Sequence, residues 1–411
     1  MKRNISLAIC TALFICCSGC SKDESNPLPE KRQEITLSTR SKTINENIQN
    51  FSFKFFQQVN TTEIDKPNFM VSPFSLSMAL AMAANGAQNV TLDEIKKVLG
   101  FEDSSIEEFN EYYQTMMKEL PNLDNSVKMS IANSIWAAHD LTLKKNFVET
   151  NKTVFNAEVK NTDFNSSATL KIINEWIADK TNNCIKDFLQ QLTPGTRMML
   201  INALYFKGSW TSKFNKSDTK KKDFTNLDGN AKKVDMMHQE DLFSYATNDT
   251  FEMLCLPYGN HAYRMMVLLP NKDVTINDAI KKLDYQTYQS LYKNLSNTNI
   301  DVELPKFKQE YKKTLVDDMK AMGIHHAFSD NADFFGLSED PLMISSIIQG
   351  TYINVDEQGT EATAATVIGM ETTAVGPSAQ PIQFHVNRPF IYLIQEQSTG
   401  AILFMGKITE L

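Results

Sequence analysis

The chain has 411 residues, 42% of them apolar, and a net charge of −8. Apolar residues are spread evenly and no Pro/Gly/Ser-rich linker interrupts 45–411, which predicts one large domain with a substantial core rather than several small ones. Acidic and basic residues are interleaved, which argues against nucleic acid as a partner, and the densest basic run, Lys220-Lys221-Lys222, reads as a solvated loop.

The first residues read as an address. Lys2 and Arg3 precede a mostly apolar stretch from Ile5 to Cys17 that is too short to span a bilayer comfortably. This is signal-peptide anatomy, so 1–19 is set apart from the fold. Cys17-Ser18-Gly19-Cys20 resembles a bacterial lipoprotein processing site, with Cys17 where an aliphatic residue is usual. It implies lipid on Cys20, and the acidic Asp23-Glu24 that follows resembles a surface-export signal. The expected location is a bacterial outer membrane, reached through the N-terminal lipid; the alternative is a soluble secreted protein. Residues 20–43 are polar, with Pro27 and Pro29, and read as a disordered tether. Beyond this leader only Cys184 and Cys255 remain. No disulfide framework is indicated, and Cys255, inside an apolar run, reads as a buried thiol.

From residue 44 the periodicities follow one another. Ile44, Ile48, Phe51, Phe55 and Phe56 predict a helix to Asn60. Ser72-Pro73-Phe74-Ser75 opens a second, through Ala84. Asp93-Glu94-Ile95 opens a third, ending near Gly100, and helical patterns continue to about residue 120. Val127–Trp136 reads as a strand, Ile172–Asn182 as a helix and Met198–Phe206 as a strongly apolar strand. Strands then dominate to about residue 310, among them Met253–Pro257, Arg264–Leu269 and Ile300–Leu304. A helix is expected from Lys312 to Met322. Phe390–Gln395 and Ala401–Gly406 read as two strands joined by a short turn. Helices early and strands late predict an α+β fold.

No nucleophile elbow, zinc-protease helix, phosphate loop or dinucleotide fingerprint occurs. The six histidines show no metal-ligand spacing; the adjacent pair His325-His326 would point apart on a helix. Neither a metal nor a cofactor is expected, nor enzymatic activity.

The informative segment is Asp356 to Thr366. Taken at period two, one face carries Thr360, Ala362, Ala364, Thr366, Ile368 and Met370, none of them charged. The other carries Glu361, Thr363, Ala365, Val367, Gly369 and Glu371. No proline intervenes before Pro377. Such a strand has one face fit for a core, and its first half is small enough to slip between existing strands.

Here the sequence resembles the serpin family, over essentially all of 44–411. Glu357-Gln358-Gly359-Thr360-Glu361-Ala362-Thr363-Ala364-Ala365-Thr366 is similar to the hinge of inhibitory serpins, E-x-G-T-E-A-x-A-A-T. Val71-Ser72-Pro73-Phe74-Ser75, Asn202 to Trp210, Met236-Met237, Leu256-Pro257-Tyr258, Ala332-Asp333-Phe334 and Asn387-Arg388-Pro389-Phe390 match in order and spacing. The resemblance implies a serpin fold, in which helices pack on a large central β-sheet, with further sheets and an exposed reactive loop, here about 357–381. It implies a monomer whose partner is a target protease, trapped covalently when the cut loop inserts into the main sheet. Family spacing from Gly359 places the scissile bond at Thr373–Ala374. Counting back from Asn387 points near Ser378, so the loop is longer than usual and Thr372, Val375, Gly376, Pro377 and Ser378 complete the window. Small uncharged residues there, with no Lys or Arg between Glu357 and Arg388, suggest an elastase-like or subtilisin-like target. Ser72, Ser75 and Asn202 match a polar cluster that governs sheet opening. Gln349 stands where the family usually has histidine, and Trp210 matches the aromatic residue where the loop first joins the sheet. A non-inhibitory carrier is the alternative; charged, bulky or proline residues on the inward face would be its mark.

Overall fold

The computed structural model describes residues 32–360 and 380–411. The first half of the chain holds α1 (Thr39–Thr62), β1 (Asn68–Val71), α2 (Pro73–Ala84), α3 (Asn89–Leu99), α4 (Ile106–Glu119), β2 (Val127–Ala138), α5 (Lys145–Phe155), β3 (Glu158–Thr162) and α6 (Ser167–Lys180). There follow β4 (Met198–Ser209), β5 (Lys220–Thr225), β6 (Ala231–Thr247), β7 (Phe251–Tyr258), β8 (Tyr263–Pro270), α7 (Ile276–Lys282), α8 (Tyr285–Lys293) and β9 (Ser296–Pro305). The C-terminal part holds β10 (Phe307–Thr314), α9 (Val316–Met322), β11 (Ser346–Asp356), β12 (Gly359–Thr360), β13 (Ile382–His385), β14 (Phe390–Glu396) and β15 (Ile402–Ile408). The α+β expectation holds.

Local chemistry explains the boundaries. The apolar stripe of α1 is buried, and Ser38 caps it by accepting a hydrogen bond from the Ser41 amide. The helix therefore starts before residue 44. Ile35 and Leu37, upstream of it, are buried too, and the Ile35 amide donates to Ser398 Oγ at 3.0 Å. The ordered domain thus takes in part of the segment expected to be tether. α2 is apolar on every side, and every residue in it is buried; Ser72 caps it and Pro73 occupies its first turn. α4 begins with a capping box between Ser105 and Glu108.

Among the described residues the strands form two sheets. One has nine strands in the order β1-β15-β14-β8-β7-β6-β9-β13, with β5 added on β6. The other has six, in the order β10-β11-β12-β4-β2-β3, with a direct β11–β4 pairing as well. α2 packs against both β15 and β4, so it lies under the two sheets at once.

Two expectations change. Lys312–Thr314 belongs to β10, whose alternating burial pairs it with β11; the helix starts only at Val316. Lys220-Lys221-Lys222 is the start of β5 rather than a loop, because Phe224 is buried there and the strand pairs with β6. Cys184 and Cys255 are both partly buried and form no disulfide among the described residues, and burial pushes the Cys255 thiol up to about 11.

Candidate functional site

The hinge is built where three strands converge. β11 and β4 run parallel and pair directly over six residues, Ser346–Thr351 against Met199–Leu204. Above that ladder β11 continues along β10 as far as Val355. The chain then reverses over Glu357-Gln358, and β12 comes back antiparallel to both neighbours. Val355 faces Thr360 and Asp356 faces Gly359 on one side; Ser209 faces Gly359 and Gly208 faces Thr360 on the other. The first two residues of the expected insertion strand are thus already seated between β11 and β4.

Each residue of the reversal has a physical reason. Gln358 N–H donates to Asp356 Oδ1 at 2.8 Å, closing the turn. The Trp210 amide donates to the Gln358 carbonyl at 2.9 Å, and the Phe214 amide donates to that of Glu357 at 3.0 Å. Gly359 has φ +148, and a Cβ there would lie 2.1 Å from the Gly208 carbonyl oxygen, so only glycine fits. Thr360 is buried, with its Oγ1 2.6 Å from the Tyr258 hydroxyl. The Tyr258 ring stacks on Trp210 with centroids 4.5 Å apart. Trp210 also donates its indole N–H to the Asp356 carbonyl at 2.9 Å, beside the end of β11.

Glu357 anchors the turn from below. Its buried carboxylate accepts from Lys306 Nζ at 2.9 and 3.2 Å and from Thr219 Oγ1 at 2.9 Å. Burial alone would raise its pKa. The hydrogen bond from Lys306, with smaller help from the Glu357 backbone and Thr219, more than offsets this and holds it below the ordinary carboxylate value.

The second group lies at the top of α2. Gln349, Asn202 and Asn133 fall in one row across β11, β4 and β2. The Gln349 amide clasps the backbone of Ser72: Oε1 accepts from Ser72 N–H at 2.8 Å and Nε2 donates to Ser72 C=O at 2.8 Å. The Ser72 hydroxyl donates to the Leu403 carbonyl at 2.6 Å and accepts from the Ser75 amide at 3.4 Å. Asn202 Nδ2 donates to Asn133 Oδ1, and Asn133 donates to the Phe155 carbonyl at 2.9 Å. Ser75 Oγ and Asn202 Oδ1 are buried and find no hydrogen-bond partner among the described residues. The four expected residues are therefore neighbours, but only Ser72 and Gln349 are bonded to each other directly among the bonds described.

Sequence reasoning missed Lys306, Thr219 and Asn133. Asn133 carried a signal, as a polar residue inside the apolar run Val127–Trp136. Lys306 and Thr219 carried none, because their bond to Glu357 exists only in the folded chain. Glu361, Ala362, Thr363, Ala364, Ala365 and Thr366, the bond Thr373–Ala374 with its window, and Cys20 lie outside the described residues. Among the described residues no group of three or more His, Cys, Asp or Glu side chains is arranged to hold a metal ion, and no helix is long and apolar enough to cross a membrane.

Comparison with known proteins gives a consistent picture. The family model for serpin (serine protease inhibitor) matches residues 46–411. An uncharacterized serpin-like protein of Thermococcus kodakarensis is 31% identical, with 99% of each chain covered. Human neuroserpin is 31% identical over 88% of this chain and 90% of its own. Among solved structures, the native state of the thermophilic serpin tengpin superposes with a TM-score of 0.84 at 34% identity, covering 93% of this chain and 97% of tengpin. Thyroxine-binding globulin in complex with thyroxine superposes at 0.82 with 28% identity, covering 90% and 99%.

Proposed function

The chain belongs to the serpin family, and from that premise we propose that it is a suicide-substrate inhibitor of serine-type, and by the same chemistry cysteine-type, endopeptidases. The observation that carries the reading is β12: Gly359 and Thr360 sit between β11 and β4, in line with the small uncharged face that continues at Ala362, Ala364 and Thr366. A protease attacks the bait bond at Thr373–Ala374. Its nucleophile forms an ester or thioester with the Thr373 carbonyl, and the new amine of Ala374 leaves. The freed segment then enters the sheet behind Thr360 and carries the enzyme with it before water can reach the acyl bond. Small uncharged residues at the bait bond favour an elastase-like or subtilisin-like target. Export as a lipoprotein through Cys20, to the outer membrane or cell surface, would place the trap where foreign or secreted proteases are met.

The deciding experiment mixes the protein with pancreatic elastase and with subtilisin, followed by denaturing gels and mass spectrometry. A denaturant-stable complex with a released peptide starting near Ala374 is expected. Thr360→Arg should abolish the complex while leaving cleavage intact, because a guanidinium at this buried position would force β12 out from between β11 and β4 and leave the freed segment no start for insertion. Cleavage without a complex in the native protein, at every ratio, would favour a carrier role instead, as the similarity to thyroxine-binding globulin suggests.

A further inference from the structure

β13 is four residues long, lies at the edge of the nine-stranded sheet, and pairs only with β9 among the described strands. It is the first described strand after residue 379. A strand from Thr360 to Thr373 spans about 45 Å. Seating it between β11 and β4 while the chain is uncut would carry Ala374 to the far end of that sheet. The residues before β14 would have to follow, and β13 would have to leave β9. Whatever holds β13 therefore holds the bait loop available.

Part of that hold is apolar: Phe384 and, just after the strand, Val386 are buried, whereas Ile382 and Gln383 are exposed. The polar hold is His385, whose Nε2 lies 3.2 Å from Asp301 Oδ2 and 3.9 Å from Glu303 Oε1 on β9. The other oxygen of Asp301 is 2.8 Å from Nε2 of His238 on β6. On the same face Glu240 of β6 stands opposite Asp301 and accepts from Asn299 Nδ2. Lys222 of β5 pairs with Glu303. With both imidazoles neutral, the carboxylates of Asp301, Glu303 and Glu240 face a single ammonium; a proton on each imidazole brings the group to balance.

We propose that His385, Asp301 and His238 form a proton-operated clasp that fastens β13 to β9, tight when the imidazoles are charged and slack when they are neutral, so that mildly acidic surroundings preserve the uncut loop. The consequence for the loop rests on the inhibitory reading; the clasp itself does not. Burial by itself would raise the Asp301 carboxyl, but the hydrogen bonds from His238 and His385 more than offset it and hold it below its ordinary value. A carboxylate depressed in this way keeps its contribution until the pH falls through that lowered value, so the acid limit of the clasp lies well below the range in which imidazoles change charge.

Hydrogen–deuterium exchange of the full chain, corrected for intrinsic exchange rates, tests this. Protection of the β13 amides relative to those of β14 should rise about fivefold from about pH 8 to about pH 6, as hydrogen bonds from a neutral imidazole to a carboxylate become bonds between opposite charges. In His385→Gln the ratio should stay at the lower level at both pH values. Equal ratios in the native protein, or an unchanged pH dependence in His385→Gln, would overturn the clasp. No protease is involved, so a pH-dependent β13 in a protein that fails to trap proteases would uphold the clasp and sink the inhibitory reading alone.

Discussion

A methyl group added at Gly359 has nowhere to go: the Gly208 carbonyl and Ser209 Cα stand at 2.1 and 2.8 Å from it, on backbone that cannot step aside. Gly359→Ala should therefore expel β12 from between its neighbours and not merely strain it. The expected result is a loss of about 1–3 kcal/mol in stability, read by denaturant unfolding. It should be accompanied by faster exchange of the Thr360 amide, and unchanged exchange there would show that the close approach does not hold in solution. Glu357 illustrates the other kind of residue. Its identity was legible as part of the hinge pattern, but its partner Lys306, far off in sequence, was not. An ion pair between distant positions leaves no mark on local periodicity. Since its carboxyl is held below the ordinary value, its contribution is full above that value and is lost as the pH falls through the lowered one.

At the scale of elements, Gln349 joins β11 to the start of α2 with two hydrogen bonds to one residue's backbone. Gln349→Ala would leave the buried N–H of Ser72 unmet, a cost of about 1–3 kcal/mol, and would take one of the two bonds of its carbonyl, which keeps the Leu76 N–H at 3.0 Å. The thermal midpoint should fall, and β11 should part from β4 more readily, measured as faster loss of trapping capacity on storage. A variant that stores as well as the native protein would reduce Gln349 to packing. Longer elements were legible because their stripes are strong: α1, α2, β4 and the β14–β15 pair stand where periodicity put them, within a few residues. β10 was misread past Lys312 because an amphipathic strand running into a helix offers apolar residues at both spacings. In the sequence β12 is legible only as the start of a longer strand from Thr360; that Gly359 and Thr360 already pair in the uncut chain is not, because the pairing is supplied by β11 and β4.

The whole molecule carries a charge in an unusual place. Lys407 lies in β15, fully buried, with its ammonium 3.0 Å from Asn60 Oδ1 and 5.0 Å from the centre of the Phe69 ring. Burial pushes its pKa down from 10.5 to about 8, against the opposing pull of Glu63. Between those two values the unfolded chain binds a proton that the folded one does not, so this residue makes global stability rise with pH over that window and penalises it below. Lys407→Met should stabilise the protein near neutral pH by about 1–3 kcal/mol and remove that rise, which thermal unfolding across the window would measure. The family and the α+β class could be read from the chain because they rest on ordered motifs, whereas the contacts of Glu357 with Lys306 and Thr219 are products of folding.

One consequence of β12 concerns kinetics. Building a new strand inside a sheet resembles closing a zip, where the slow part is engaging the first teeth. Here Gly359 and Thr360 are engaged already in the uncut fold. For the proposed insertion, what would remain is propagation against the six direct rungs between β11 and β4. Under that proposal the race with hydrolysis of the acyl bond would be run from a moving start.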